Sequence, residues 1–308
     1  MEKAGTFIKA RFYLFLAIVF NVGHIYLGTS VMAQDYAPVK AMTWNIRLDT
    51  PVDGPDQWKY RKSGLCSMVM EERPDVLGVQ EAFHSQLTDM KCRLKGYRYT
   101  GTGRDDGKKG GEYSAIFYNR KVLKILRSGT FWLSETPETA GSKGWDAALP
   151  RIASWAEFRH IKTGIIFLVI NTHFDHIGET ARVESAALLT RRAAELGNGL
   201  PVILTGDFNV NPGHRAYRII IWPENEIVLT DTRERSEADK EGPEFTYVSF
   251  DRSREDGELI DFIFTSTDVQ VLSNTITDFR QTGIYLSDHL PVVARLLVPQ
   301  KAKNTPGR

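Results

Sequence analysis

The chain has 308 residues, of which 42% are hydrophobic and 25% are charged, so it can form one large domain or two small ones and is not disordered throughout. Its net charge is +1, and residues 1–33 contribute +2 through three basic residues and one acidic residue, which leaves about −1 for the remainder. A body this nearly neutral excludes a protein that holds long nucleic acid by bulk positive charge.

Residues 1–33 have the pattern of a secretory signal peptide. Lys3, Lys9 and Arg11 form a basic start, Phe12–Phe20 is an uninterrupted apolar core, and Val31-Met32-Ala33 supplies small residues before a cleavage point. The core is shorter than the roughly 20 residues of a membrane span. We expect export to the periplasm or beyond the cell and no stable membrane insertion after cleavage. An uncleaved N-terminal anchor is the alternative.

The rest of the chain mixes short apolar or alternating runs with segments of helical spacing, separated by Gly, Pro, Asn and Asp. Strands are predicted at 39–46, 76–79, 97–99, 114–118, 122–129, 155–159, 165–171, 201–204, 245–250, 259–264, 269–274 and 292–297. Helices are predicted at 60–72, 85–94, 182–196 and 214–220. The segments 101–112, 132–149 and 231–242 are predicted to be exposed loops. This mixture indicates one layered α/β domain over residues 34–300, with a disordered tail at 301–308.

The chain contains two cysteines, Cys66 and Cys92, both in predicted helices. They either pair in an oxidising compartment or serve as small buried hydrophobic residues. Neither has the spacing of a zinc site, so we assign them no chemistry.

The stretch Leu200–Gly213 has the strongest functional pattern. A buried strand leads into Gly206-Asp207-Phe208-Asn209, and strand alternation places Asp207 and Asn209 on the same side. Gly206 leaves room for a ligand to approach the backbone. A carboxylate and an amide held in this way suit a water molecule and a phosphate, or a hard cation. The alternative is a local turn in which both side chains only satisfy the backbone.

Polar residues also follow other predicted strands. The set is Asn45, Glu81, His173, Asp207, Asn209, Asp261, Asp288 and His289. Burying these groups separately would cost several kcal/mol each unless they found partners, whereas convergence on one cation and one phosphate satisfies them together. Oxygen donors without cysteine favour Mg²⁺, with Mn²⁺ possible, over Zn²⁺. Histidines beside carboxylates supply acid–base chemistry near neutral pH.

These motifs resemble the endonuclease/exonuclease/phosphatase superfamily, which has the DNase I-like fold. The matching segments, in the order of that superfamily, are Trp44-Asn45-Ile46, Gln80-Glu81, Asn171-Thr172-His173, Gly206-Asp207-Phe208-Asn209, Ile260–Phe264 and Ser287–Pro291. The resemblance implies a four-layer α/β sandwich, in which two packed, mainly antiparallel β-sheets are flanked by helices. We expect a monomer.

The resemblance also implies roles at matching positions. Glu81 would be the principal metal ligand, aided by Asn45 and Asp288. Asp207 would orient or deprotonate the attacking water, and Asn209 would hold a phosphate oxygen.

For the histidines, the resemblance implies that His289 binds the phosphate or acts as a base and that Asp261 orients it. His173 would stabilise the pentacovalent phosphate or protonate the leaving oxygen. Tyr113 resembles a catalytic tyrosine of the exonuclease III branch, although its neighbours depart from that pattern, and a packed core tyrosine is the alternative.

Two further residues are interpreted locally. Arg151 follows Pro150 in a Trp-rich stretch and is a candidate phosphate-binding residue, with a surface ion pair as the alternative. His176 follows His173 by three residues and is a candidate for the rim of the substrate site, with a solvated histidine as the alternative.

The expected substrate is a phosphoester: a nucleic acid, a nucleotide or another phosphorylated small molecule. The motifs most resemble the secreted bacterial branch related to deadenylase-type exonucleases, which puts a phosphodiesterase or nuclease first. In that branch many members carry a histidine two residues after the threonine that matches Thr246, where this chain has Val248. The alternatives are a phosphomonoesterase acting on a sugar, inositol or nucleotide phosphate, a sphingomyelinase-type phospholipase and, last, a non-catalytic binding module.

Overall fold

A computed structural model describes residues 35–238, 240–253, 255–282 and 285–301. The predicted signal peptide and residues 302–308 of the predicted tail lie outside these residues. Within the described part of the chain, no helix combines the length and the apolar character that crossing a membrane requires.

Twelve strands form two six-stranded sheets. Sheet 1 contains, in spatial order, β11 (Gln270–Ile276), β12 (Val292–Pro299), β1 (Tyr36–Asn45), β2 (Val76–Ala82), β4 (Tyr113–Asn119) and β3 (Tyr97–Thr100). Sheet 2 contains β5 (Leu123–Trp132), β6 (Ile152–His160), β7 (Ile166–His173), β8 (Val202–Asp207), β10 (Asp261–Ser266) and β9 (Leu229–Asp231). Each sheet has one parallel pair, β1 with β2 and β7 with β8, and its other pairs are antiparallel.

In the part of the chain that the structure describes, five α-helices accompany the sheets. They are α1 (Trp58–Glu72), α2 (His84–Arg93), α3 (Glu179–Gly197), α4 (Arg215–Ile220) and α5 (Thr232–Arg235). Apolar residues of α1 and α2 pack on sheet 1, whereas those of α3 and α4 pack on sheet 2. The result is the predicted four-layer α/β sandwich with two mainly antiparallel sheets, so the fold-class prediction is confirmed.

Sheet 2 is buried on both faces, which explains why its central strands are almost wholly apolar. Along β7, Phe167 and Val169 enter the core between the sheets, while Leu168 and Ile170 enter the core under α3 and α4. Strand alternation sends successive side chains to these two cores.

A buried polar cluster connects the sheets between these apolar layers. The Asn171 amide nitrogen on β7 donates to the backbone oxygens of Val79 (2.9 Å) and Ala115 (3.0 Å) in sheet 1. Its amide oxygen accepts from Gln80 Nε2 (2.7 Å) and Thr205 Oγ1 (3.0 Å). All four hydrogen-bonding positions of this amide are therefore occupied.

The structure differs from the prediction in three respects. Residues 245–250 do not form a strand; among them Tyr247 alone makes bridges, one to Glu258 and one to His289. The predicted solvated loop at 231–242 begins with ordered structure, because Asp231 ends β9 and Arg233 is buried in α5, where it donates to the backbone oxygens of Glu241 and Pro243, whereas residues 237, 238 and 240–242 are exposed as predicted.

The third difference concerns segments 101–112 and 132–149, which are not simply exposed. Arg104 is buried in a bidentate ion pair with Glu112, and Trp132 Nε1 donates to the Arg104 carbonyl at 2.7 Å. The two cysteines are unpaired. Cys66 is buried and Cys92 is exposed, so the buried interpretation holds for Cys66 alone.

Gly78→Ala tests how closely the two sheets approach. A Cβ at Gly78 would overlap Asn171 Oδ1 and Thr205 Oγ1, so the methyl group must disturb the buried hydrogen bonds. We expect a loss of about 2–4 kcal/mol in the free energy of unfolding, measured by urea denaturation. The exposed Gly213→Ala, whose nearest neighbour is the Asn211 side-chain oxygen at 3.2 Å, is the matched control and should change stability little. Equal effects of the two substitutions would contradict this account.

Candidate active site

The carboxyl ends of both parallel strand pairs open into one cavity of about 480 Å³. Asn45 ends β1, Glu81 lies near the end of β2, His173 ends β7 and Asp207 ends β8. The residues that line the cavity are Arg47, Leu48, Glu81, Glu112, Leu149, Arg151, His173, His176, Asp207, Asn209, Tyr247, Glu258, Ile260, Asp288 and His289.

Three of these residues have left-handed backbone conformations that side chains other than glycine rarely adopt. The φ angles are +57° at Arg47, +62° at Glu81 and +50° at Asn209. Such conformations cost free energy and concentrate at functional sites, where surrounding contacts hold them in place. Here they turn the chain sharply after β1, within β2 and after β8, and so direct these side chains to the cavity.

Asn45 connects the two halves of the site. It is fully buried, and its amide nitrogen donates to Glu81 Oε1 (3.0 Å) on sheet 1 and to Asp207 Oδ2 (2.9 Å) on sheet 2. Its amide oxygen accepts from the Arg47 backbone nitrogen at 3.0 Å. In this arrangement Asn45 presents nitrogen to the carboxylates, so it positions Glu81 and Asp207 and does not offer the oxygen ligand that was predicted.

His289 lies between two carboxylates. Its Nδ1 is 2.8 Å from Asp261 Oδ2, and its Nε2 is 3.8 Å from Asp207 Oδ2. Burial alone would lower the pKa of His289, but the charge and hydrogen bond of Asp261, together with the charge of Asp207, raise that pKa to about 10. Burial and the neighbouring Asp261 raise the pKa of Asp207 to about 7. Near neutral pH the imidazole is therefore a cation beside a carboxylate that can exchange a proton.

His173 has the opposite electrostatic character. Burial and the positive charges of Arg151 and Arg104 hold its pKa well below the usual range, so the ring is neutral at pH 7. Its Nε2 lies 3.4 Å from Asp207 Oδ2, and its Nδ1 lies 4.0 Å from Glu112 Oε2. The two histidines on either side of Asp207 thus differ in charge.

Glu81 and Asp288 form an acidic pair on the other side of the cavity. The Arg47 guanidinium lies 3.8 Å from Glu81 Oε2 and 3.8 Å from Asp288 Oδ2, and it is held by Asp53 at 3.0 and 3.1 Å. Burial raises the pKa of Asp288, and the charge of Glu81 raises it further. Two carboxylates that converge on one cation, with no sulfur donor nearby, fit a hard divalent ion.

A second group of possible ligands consists of Asp207, Asp261 and His289, each of which has a donor atom within 4.8 Å of the others. Both nitrogens of His289 already face carboxylates and its pKa is raised, so a cation there would have to displace a tightly held proton. We therefore place the metal candidate at Glu81 and Asp288 and regard the other three residues as a proton-handling group.

The far wall of the cavity carries Arg151, which is 4% exposed. Its Nε is 3.2 Å from Asp175 Oδ1, its Nη2 donates to His176 Nδ1 at 2.9 Å, and its buried Nη1 has no protein partner among the described residues. Asp175 also accepts three backbone N–H bonds, which lower its pKa against the effect of burial. The ion pair of Arg151 is buried, so the surface ion pair is wrong, whereas phosphate binding by this cavity-wall residue stays a prediction.

The structure brings most of the predicted residues together. His173, Asp207, Asn209, His289, Glu81, Asp288, Arg151 and His176 line the cavity, with Asn45 and Asp261 directly behind them. Tyr113 does not line it, because its hydroxyl donates to the Lys108 carbonyl at 2.8 Å in a packed position. The geometry therefore favours the packed-tyrosine interpretation.

The sequence analysis did not identify Arg47 and Glu112 as site residues. It also missed the outer wall of the cavity, formed by Leu149, Tyr247, Glu258 and Ile260. Arg47 stands two residues after the strand-end Asn45, and this spacing is a signal that could have been used. Glu112 and Tyr247 reach the cavity only through irregular segments, for which periodicity carries no signal.

Two packed mixed sheets with paired carboxylates and histidines at one shared edge define a hydrolase with the DNase I-like α/β fold. The family model described as Endonuclease/Exonuclease/phosphatase family matches residues 42–289, and the chain belongs to that family. It is therefore a hydrolase of phosphate esters, and the enzymes of this family depend on divalent metals.

Solved structures support this assignment. An endonuclease/exonuclease/phosphatase from Bacteroides vulgatus is 42% identical, with a TM-score of 0.80, over 85% of this chain and 99% of that chain. A mannosyl-6-phosphatase from Bacteroides thetaiotaomicron is 41% identical, with a TM-score of 0.78, over 84% of this chain and 99% of that chain.

The protein is also similar to Nocturnin. The Drosophila melanogaster protein is 25% identical over 83% of this chain and 46% of its own length, so this chain spans about half of that relative. The human Nocturnin catalytic domain, at 21% identity and a TM-score of 0.66, supports the shared fold.

Arg151→Gln tests the electrostatics of the far wall. In the native protein, burial and then the Arg151 charge lower the pKa of His176, so His176 stays neutral until the pH falls below its usual range. Removing the charge should raise that pKa and let His176 protonate at higher pH, as followed by NMR titration of the imidazole C–H signals. His160, whose pKa is lowered mainly by burial elsewhere in the protein, is the internal control and should not move. An unchanged His176 titration would rule out this coupling.

Proposed function

We propose that the protein is a divalent-metal-dependent phosphomonoesterase that acts on a phosphorylated sugar. The observation that carries this proposal is the composition of the cavity wall. Leu149, Tyr247, Glu258 and Ile260 form its outer part, and no lysine lines it among the described residues.

The charges of the cavity disfavour a polyanion. The two arginines in the lining, Arg47 and Arg151, are each engaged by a carboxylate, Asp53 and Asp175 respectively. A nucleic acid brings flanking phosphates that need free basic groups along their path. The exposed carboxylate of Glu258 would repel such phosphates, whereas it can accept hydrogen bonds from sugar hydroxyls.

Similarity to solved structures also supports a sugar phosphate as the substrate. The structure described as a mannosyl-6-phosphatase is 41% identical to this chain, whereas the human Nocturnin domain is 21% identical. These observations reverse the order expected from the sequence motifs, which put the diesterase first. A phosphodiesterase remains the second candidate, because the Nocturnin relatives match most of the chain and the same catalytic groups can hydrolyse a diester.

Glu81 and Asp288 would hold the ion, Mg²⁺ or Mn²⁺, and Asn45 would keep Glu81 in place through its hydrogen bond. When bound, the ion supplies charge neutralisation for the phosphate. In this arrangement the Arg47 guanidinium would give up its contacts to both carboxylates while Asp53 retains it.

The remaining groups suit proton transfer and orientation. Asp207, with its raised pKa and its contacts to both histidines, is matched to taking a proton from the attacking water near neutral pH. His289 is held as a cation by Asp261 and suits contact with a phosphate oxygen. The neutral His173 suits hydrogen bonding to the phosphate more than proton donation to the leaving oxygen. Asn209, whose amide nitrogen donates to the Phe174 carbonyl at 3.0 Å, lines the cavity and suits contact with a phosphate oxygen.

A substrate panel with and without Mg²⁺ tests the proposal. Hexose 6-phosphates should be hydrolysed with the highest kcat/KM, followed by p-nitrophenyl phosphate, while bis(p-nitrophenyl) phosphate and single-stranded oligonucleotides should be poor substrates. Activity should disappear with chelator and return with Mg²⁺ or Mn²⁺. Glu81→Gln, prepared in parallel, reports any contaminating phosphatase. Preference for oligonucleotides would reject the sugar-phosphate assignment, and full activity in chelator would reject the metal.

Asp207→Asn and His289→Ala test the division of roles between the two residues. Each should reduce kcat by roughly 10²–10⁴-fold, as is typical of acid–base groups. The double variant should lose much less than the product of the two reductions, because groups that act as a unit are not additive. Asp268→Asn and His214→Ala, which lie outside the cavity lining, are the matched controls and should keep wild-type kcat. Multiplicative losses would indicate independent roles, and a near-wild-type single variant would remove that residue from the reaction.

A further inference from the structure

Arg61 is a buried cation outside the cavity that has no carboxylate partner among the described residues. It lies in the first turn of α1 and is 2% exposed. Its guanidinium lies between the rings of Trp58, at 5.7 Å, and Phe250, at 5.4 Å. Among the described residues no carboxylate oxygen lies within 4.0 Å of it, and the adjacent Asp56 carboxylate is paired with Arg252.

A buried guanidinium without a paired anion is costly, so its hydrogen bonds must satisfy it. Arg61 donates from Nη1 to the backbone oxygens of Ile46 (2.9 Å) and Leu286 (2.7 Å), and from Nη2 to that of Arg47 (3.3 Å). Its Nε donates to the Asp56 backbone oxygen. One planar group therefore binds two segments that are 239 residues or more apart in the chain, the 46–47 turn and residue 286.

These two segments determine the positions of the Glu81 and Asp288 carboxylates. In the first segment, Leu48 N donates to Glu81 Oε2 at 3.1 Å, and Asn45 donates to Glu81 Oε1 at 3.0 Å. In the second segment, Leu286 stands two residues before Asp288. The distance between the Glu81 and Asp288 carboxylates thus depends on how the turn after β1 is held against residues 286–288.

A second, weaker connection joins the same segments. Ser287 Oγ donates to the Asn45 backbone oxygen at 2.6 Å. This bond and the Arg61 hydrogen bonds act at the same interface, but Arg61 holds the backbone of both segments with a rigid charged group.

We infer that Arg61 is a positioning residue that sets the separation of Glu81 and Asp288 and thereby the affinity of the site for a divalent cation. This inference rests on the metal site of the proposed function. Arg61 touches neither substrate nor metal; it acts through the backbone of the two segments that carry the ligands. Groups that orient metal ligands in this way change metal affinity by roughly 10–100-fold when they are removed.

Arg61→Lys and Arg61→Met separate positioning from charge. Lysine keeps the positive charge but lacks the planar fork, so it cannot hold both segments. Positioning predicts that both variants bind Mn²⁺ roughly 10–100-fold more weakly than the wild type, as measured by isothermal titration calorimetry without substrate. If Arg61 acted only through its charge, Arg61→Lys would bind like the wild type and Arg61→Met would bind more tightly, and the inference would be overturned.

The matched control is Arg233, another buried arginine that donates to backbone oxygens, those of Glu241 and Pro243, away from the cavity. Arg233→Lys and Arg233→Met should lower the melting temperature without changing the Kd for Mn²⁺. If they weaken Mn²⁺ binding as much as the Arg61 variants do, the effect is general destabilisation and the inference fails.

Circular dichroism establishes whether each variant is folded. Should the Arg61 variants not fold, Ser287→Ala provides the second test, because it leaves Arg61 intact but removes the bond between the same segments, together with the 3.3 Å contact from Ser287 Oγ to Asp288 Oδ1. It should weaken Mn²⁺ binding several-fold, and a wild-type Kd would overturn the inference. A wild-type protein that binds no Mn²⁺ would refute the metal site of the proposed function as well, whereas normal wild-type binding with normal Arg61→Lys binding would refute the role of Arg61 alone.

Discussion

The active site depends on the buried hydrogen bonds that align the two sheets immediately below it. Asn171 binds sheet 1 through its amide nitrogen and receives Gln80 and Thr205 at its amide oxygen. Gln80 also donates to Thr43 at 3.0 Å. Each of these four side chains lies one or two residues before a residue of the site: Thr43 before Asn45, Gln80 before Glu81, Asn171 before His173 and Thr205 before Asp207. Because a buried amide that loses a partner is expensive, one relative position of the sheets is strongly preferred.

This alignment lets the protein maintain an arrangement of charges that would otherwise be unfavourable. Four carboxylates, those of Glu81, Asp207, Asp261 and Asp288, converge at the sheet edge and are compensated by Arg47 and by the protonated His289. The positive φ angles of Arg47, Glu81 and Asn209 add backbone strain. The surrounding packed sheets hold both the converging carboxylates and the strained backbone in place. Both features cost stability, so they indicate a region selected for chemistry more than for stability.

Two parts of the cavity are built from different kinds of structure. The catalytic groups stand at the ends of central strands, where packing holds them firmly, whereas Leu149, Tyr247 and Glu258 come from irregular segments. Rigid strand ends can hold the same reacting groups in every member of a family, whereas variable loops can determine which substrate binds. The family therefore defines phosphoester hydrolysis. In the proposed function, the wall favours a sugar phosphate over a longer polyanion.

The sequence by itself determined the layered fold and most of the site, because buried strands are apolar and a polar residue at their end is conspicuous. Asn45, Glu81, His173 and Asp207 were singled out in this way, and the structure places them together at the strand ends, while their chemical roles stay predictions. Only the tertiary structure decided that Tyr113 faces a packed interior, that residues 245–250 bridge instead of forming a strand, and that Arg61 binds the turns on either side of the acidic pair. Those outcomes depend on contacts between residues far apart in the chain. Local periodicity indicates which side chains are buried but not which residues they contact.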